Sequence, residues 1–259
     1  MSKIIFVTFA THKERLFNNL VKSCKKNKVK LNIIGFNKKW KGWKIRAKYI
    51  LKYLERFMDY QIICCLDGFD SLFLGSEIEL YNNFIKYYRN YNIIFSNDNS
   101  NNLFIKNFKN KKFNNCKNNF LSAGIFIGYN KFIKNMLSKY INSRYNDDQE
   151  YFTKLCNKDN KIGIDLPNYL FYNIQFFEEN KYIINNKKRL VVNKNTPVII
   201  SAPGNVNITD LVETLGYTYN EHNNLKYFLT HFPNIIYLYK YEILLIIICI
   251  YIKFYSGMD

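Results

Sequence analysis

The segment CCLDGFDSLFL, residues 64–74, sets two carboxylates, Asp67 and Asp70, directly behind the apolar run Ile62-Ile63-Cys64-Cys65-Leu66. Acids are scarce in this chain, with 20 Asp and Glu against 38 Lys and Arg. A tight acidic pair therefore calls for a reason. Carboxylates just past a strand end are hard oxygen donors. Magnesium and manganese bind few such groups and take their remaining ligands from water and substrate phosphates. Phe69, between the acids, offers a ring face to a flat base. The plainer alternative is that Asp67 and Asp70 cap the next turn while Phe69 fills the core. A second acidic pair opens NDDQEYFTKL, residues 146–155. Asp147 and Asp148 fall in the first turn of an expected helix, where acids complement the helix dipole. A carboxylate there can also bind an acceptor hydroxyl or take its proton. A third stretch, FLSAGIFIGY at 120–129, carries the small residues Ser122, Ala123 and Gly124. Small side chains let a backbone approach a ligand closely, or simply make a turn into a strand.

The elements that must position these groups follow from periodicity. KIIFVTFAT (3–11), VKLNIIGF (29–36), YQIICCLD (60–67) and YNIIFSND (91–98) are short apolar runs of the kind that form buried strands. Between them, ERLFNNLVKSCKK (14–26), KIRAKYILKYLERF (44–57) and SEIELYNNFIKYYRN (76–90) carry apolar residues at helical spacing. This alternation predicts an α/β domain with a largely parallel sheet and helices on both faces. Ligands bind such sheets at the carboxyl ends of the strands. Thr8–Thr11, Asp67–Asp70 and Ser96–Asp98 all lie there. The polar stretch 99–119 reads as a loop over the site. GIDLPNYLFYNIQ and TPVIISAPGN supply further strand.

The chain has 259 residues, enough for one core, expected over 1–220, and a tail at 221–259. The net charge of +18 suits anionic partners, though a solvated lysine surface accounts for most of it. Zinc-finger spacing and an arginine-rich arm are both missing, which argues against a nucleic-acid-binding role. Cys64 and Cys65 should point to opposite faces of one strand and so not pair. With no metal-ligand cysteine spacing, a reducing, cytoplasmic setting is expected. The apolar run at the N-terminus is too short for a signal peptide. Near the C-terminus, ILLIIICIYI (243–252) is shorter than the roughly 20 residues of a membrane span. The tail reads equally as an anchor that would associate the protein with a membrane or as an element packed on the domain.

Taken in order, these pieces resemble the glycosyltransferase domain of the procollagen lysyl hydroxylase family. FVTFAT, KWKGWKIRAKYILKYL, LDGFDSLF, FLSAGIFIGY, DDQEYFTKL and IGIDLPNYLFYNIQ carry the resemblance, over about 3–205. It implies a GT-A fold, with a Rossmann-like, mixed but mostly parallel sheet flanked by helices. It also implies manganese and a UDP-sugar donor. By the same resemblance Asp67 and Asp70 contact the metal, directly or through water, and Phe69 stacks on the uracil. Thr8 and Thr11 line the nucleotide pocket, and Lys44 faces the diphosphate. Ser122, Gly124 and Gln149 lie on the sugar and acceptor side, where Asp147 and Asp148 are the catalytic candidates. Asp165 and Gln175 fall in the last matching segment.

The implied activity is transfer of a hexose from a UDP-sugar to a hydroxyl of a protein or glycan. Hydroxylysine or glycosyl-hydroxylysine of a collagen-like protein is the family's acceptor class. One departure stands out. The family's metal histidine sits in a P-x-x-x-H-G-N-G-like stretch, and this chain reads PVIISAPGN, with Ser201 in the histidine's place. A hydroxyl is a poor substitute for imidazole on manganese. Asn205 or water would then complete the shell. The alternative is a catalytically inactive relative acting as a binding or scaffold module.

Overall fold

The computed structural model describes residues 2–98, 103–113, 115–175, 183–203 and 206–219. The tail expected from 221, His222, His231, Gly204 and Asn205 lie outside the described residues.

The first strand, β1 (Ile4–Phe9), shows why the sheet must be covered on both sides. Ile4 and Phe6 join one apolar cluster, while Val7 and Phe9 join the other. Alternating side chains of one strand point to opposite faces. The central sheet runs in the order β2 (Leu31–Ile34), β1, β3 (Ile62–Asp67), β6 (Leu121–Tyr129), β5 (Ile93–Asn97), β7 (Ile162–Asp165). All strands are parallel except β6, which pairs antiparallel with both neighbours. One face is covered by α2 (Trp43–Leu54), α5 (Asn130–Ile141) and α6 (Asp148–Lys158). The other is covered by α1 (Phe17–Lys26) and α3 (Glu77–Tyr88). Cys64 and Cys65 fall on opposite faces and stay free.

A second, three-stranded sheet stands apart, in the order β4 (Ser71–Phe73), β11 (Ile199–Ser201), β8 (Phe171–Asn173). Of TPVIISAPGN, Ile199–Ser201 therefore pair in this smaller sheet and not in the main one. β9 (Ile183–Ile184) and β10 (Leu190–Val191) form a separate antiparallel pair. The last described helix is α7 (Thr209–Thr214).

Local chemistry fixes the ends of these elements. Ser76 caps α3 by accepting from the Glu79 N–H, with Glu77 and Glu79 in the first turn. Glu77 reaches back to accept from the backbone N–H of Ile4 at 2.9 Å, which ties the start of β1 to that helix. Arg189 grips Glu79 with two bonds of 2.9 Å.

The structure departs from the sequence expectation at three places. The polar stretch read as a loop contains a helix, α4 (Leu103–Phe113). It is held by buried Lys109, which donates to the Asp98 carbonyl at 2.6 Å and pairs with its carboxylate at 2.8 Å. Ser122–Gly124 lie inside β6 and not before it. Opposite them the register jumps from Phe95↔Phe126 to Ser96↔Ser122, so β6 bulges away from the ladder there. Cys116 and Cys156 form a disulfide that joins the turn after α4 to α6; partners 40 residues apart leave no spacing signature.

Candidate active site

The carboxyl ends of β1 and β3 and the bulge of β6 meet at one edge of the sheet. Asp67, last residue of β3, lies beside Phe9 of β1. Its Oδ1 accepts from the Phe69 N–H at 2.9 Å, which fixes the turn that follows. The bulge brings Gly124 over the same carboxylate. A Cβ on Gly124 would stand 3.4 Å from Asp67 Oδ2 and 3.5 Å from Ser122 Oγ. The missing side chain thus leaves open the space above Asp67. A bulge that re-aims residues beside a site is a recurrent device. Ser122 Oγ also accepts from the Gly124 N–H at 3.3 Å. Gln149, from the first turn of α6, accepts a long bond from the Ala123 N–H at 3.5 Å. Asp67, Ser122, Gly124 and Gln149 are therefore brought together.

The two acids at the start of α6 have different tasks. Asp147 is the N-cap, accepting from the N–H groups of Gln149 and Glu150 at 2.9 and 3.2 Å. Asp148 is buried and faces Arg46 of α2 at 3.8 Å. Burial pushes its carboxyl up to about 6, against the pull of Arg46 and with a smaller push from Asp147. A carboxylate poised near neutrality is suited to accepting a proton. Arg46 went unnoticed in the sequence. The available signal was one cation on the apolar face of α2, in helical register with buried Ile50 and Leu54.

On the other side of Asp67 lies a loop of aromatic and polar groups. The Phe69 ring stands 5.2 Å from the His12 ring. Thr11 Oγ1 is 2.8 Å from His12 Nδ1, and His12 Nε2 is 3.0 Å from Glu14. The Leu16 N–H donates to the Phe69 carbonyl at 3.0 Å, joining this loop to the acidic turn.

Three of the expected site residues have other partners. Thr8 is wholly buried and donates to the Leu66 carbonyl at 3.0 Å, beneath Gly68. Lys44 donates to the Ser143 carbonyl at 2.5 Å. Ser201 is 3% exposed, in register with Ser71 on one side and Asn173 on the other. In the last matching segment, Asp165 is buried and accepts from Tyr88 Oη and from the N–H groups of Tyr169, Leu170 and Phe171. It shapes the turn between β7 and β8. Gln175 donates to Asp98 at 2.7 Å and accepts from Lys109 at 3.0 Å.

Asp70 is the site's second departure from expectation. Its carboxylate is engaged by the guanidinium of Arg15. Burial and the neighbouring Asp67 push Asp70 up to about 8, against the opposing pull of Arg15. With Asp70 so engaged and Ser201 a buried hydroxyl, the implied manganese set of Asp67, Asp70 and Ser201 does not fit the cation. Among the described residues no three His, Cys, Asp or Glu side chains gather in a way that could hold a metal ion.

A six-stranded, mostly parallel sheet with one reversed strand, flanked by helices, carries this cluster at its carboxyl edge. The family model described as PLOD GT domain matches residues 1–225, and the chain belongs to that family. Among solved structures, one similar chain is a glycosyltransferase involved in the glycosylation of the major capsid of PBCV-1. It aligns over 82% of this chain and 98% of its own, at 11% identity and a TM-score of 0.49. Another is the galactosyltransferase LgtC in complex with donor and acceptor sugar analogs, over 86% and 99%, at 12% identity and a TM-score of 0.44. Both likenesses are remote. A search of curated proteins gives no significant match.

Proposed function

We propose that this domain transfers a hexose from a UDP-sugar to a hydroxyl of a protein or glycan, with hydroxylysine or its glycosylated form as the acceptor class. Membership of the PLOD GT family supports transfer of a sugar. The observation that carries the finer reading is the open space above Asp67, framed by Gly124, Ser122 and Gln149. Phe69 follows Asp67 in the adjoining turn, and Asp148 precedes Gln149 at the start of α6. Phe69, whose ring packs 5.2 Å from that of His12, offers an aromatic face suited to a planar base. Asp67 and Ser122 are suited to hydroxyls of the donor.

In the step itself, the bond from the sugar C1 to the β-phosphate oxygen breaks, and its electron pair leaves with the diphosphate. The acceptor oxygen bonds to C1, and its proton passes to a carboxylate. Asp148 is suited to that role because burial raises its pKa while Arg46 keeps it ionised near neutral pH.

Ligand-induced shifts in melting temperature test the donor class. A ligand that binds only the folded state stabilises it by mass action. UDP should raise the melting temperature more than ADP or GDP at equal concentration, and Phe69→Ala should remove the preference. Equal shifts with all three nucleotides, or none, would overturn the uridine reading. UDP binding without turnover of any UDP-hexose would identify a binding module.

A further inference from the structure

Arg15 is a cation that the sequence motifs gave no part to. It stands in the loop after β1, between the two strand ends that would have held a metal. One guanidinium nitrogen engages Asp70. The other donates at 3.2 Å to the carbonyl of Ala202, the residue after Ser201. The Ala202 N–H in turn donates to the Asp70 carbonyl at 2.9 Å. The guanidinium therefore bridges Asp70 and the end of β11, where a metal ion shared by Asp70 and a side chain at position 201 would have to sit.

Two further observations bear on this arginine. Its backbone has φ +46°, in the left-handed region that non-glycine residues seldom adopt. Eight other described non-glycine residues share a positive φ, so the bridging contacts of the side chain carry the argument. In addition, Arg15 Nε is buried and has no hydrogen-bond partner among the described residues. Buried donors are rarely left unsatisfied, so an unpaired one calls for a missing acceptor. An arginine stays charged at all working pH values, and its planar fork matches phosphate oxygens.

We infer that Arg15 takes the place of the divalent cation, so that the diphosphate of the donor is bound and its departure stabilised by a guanidinium, without metal. This rests on the UDP-sugar reading above. When the C1–O bond breaks, the charge that gathers on the β-phosphate oxygen meets a fixed positive group in a partly buried setting. That is electrostatic stabilisation of the leaving group. Ser201 fits this picture, because no imidazole is needed where the cation is covalently part of the chain. Asp70 then serves as a positioning residue that holds the guanidinium.

The test is UDP binding by the full chain, measured calorimetrically in excess EDTA and again in manganese, for the wild type, Arg15→Met and Arg15→Lys. The inference expects wild-type affinities within about twofold of each other in the two conditions. Arg15→Met should weaken binding in EDTA by roughly ten- to hundredfold, the effect of losing a charge-assisted hydrogen bond. Arg15→Lys keeps the charge but not the fork, so it should bind between the two. It also stands in if the methionine variant does not fold. UDP binding that needs manganese would overturn the inference while leaving the donor reading intact. Binding in EDTA that survives the folded variants unchanged would overturn it too. No UDP binding in either condition would overturn the donor reading, and this inference with it.

Discussion

Replacing Arg46 by methionine removes the one cation that faces Asp148 among the described residues, while keeping most of the buried volume. The two groups stand 3.8 Å apart, both largely buried. At an effective dielectric of about 20, charges so close attract by about 4 kcal/mol. At about 1.4 kcal/mol per tenfold change in protonation, losing that attraction moves the midpoint of Asp148 up by roughly three pH units. It starts at about 6, so the variant should titrate near about 9. At pH 7.5 only about 3% of the variant's Asp148 would then be ionised. If Asp148 accepts the acceptor's proton, turnover at that pH should fall roughly thirtyfold and recover as the pH approaches 9. The acid limb of the pH–rate profile should move by the same amount, and Arg46→Lys should largely restore it.

Stability carries a matching signature. The folded value of Asp148 lies above its ordinary 3.8, so its contribution to stability is complete below pH 4 and is lost as the pH rises through about 6. In Arg46→Met that loss extends to the higher midpoint. A folded Arg46→Met protein whose acid limb stays near 6 would refute the coupling of Arg46 to Asp148, and with it the assigned role of both.

Four other outcomes follow from the same geometry. Gly124→Ala should fold normally, since its Cβ would meet Asp67 Oδ2 only at van der Waals distance, yet turnover should drop because the methyl fills the space above that carboxylate; urea melts with steady-state kinetics separate the two effects. Asp165→Asn leaves one or two of four donors unpaired and should cost about 1–6 kcal/mol of stability, at about 1–3 per orphaned group, as read by chemical denaturation. Cys116→Ser opens a link spanning 40 residues and should cost about 4 kcal/mol by loop entropy, an effect that vanishes when the wild type is measured in reductant. Ser201→His places an imidazole in a buried slot between Ser71 and Asn173, so it should lower stability by about 1–3 kcal/mol and create no manganese requirement for UDP binding, as seen by calorimetry.

The sequence made the main sheet legible wherever burial was two-sided. β1 and β3 are continuous apolar runs because both faces are covered, and α2 and α3 carry a helical stripe because one face is. Asp67 at a strand end and Asp147 at a helix start were also visible, since each position follows from local chemistry. The bulge of β6 was not visible. Ser122-Ala123-Gly124 looks like a turn before a strand until the register with β5 is known. α4 was hidden by its Asn- and Lys-rich composition, and its docking depends on Lys109 meeting Asp98 across the sheet edge. The placement of PVIIS in a second sheet required its partners Ser71–Phe73 and Phe171–Asn173. Arg15 and Arg46 were missed for the same reason. Each is defined by a partner distant in the chain, and nothing local separates either from a solvated cation.

The most direct test of the account is release of UDP from a panel of UDP-hexoses, measured with and without a hydroxylysine-containing peptide, for the wild type, Asp67→Asn and Asp148→Asn. The account predicts UDP release from at least one donor, accelerated by the peptide. Asp148→Asn should lose turnover while still binding UDP, and Asp67→Asn should lose it through the donor side, with both variants folded. No release from any UDP-hexose, or release unchanged in both variants, would contradict the placement of the active site at the carboxyl edge of β3 and the bulge of β6.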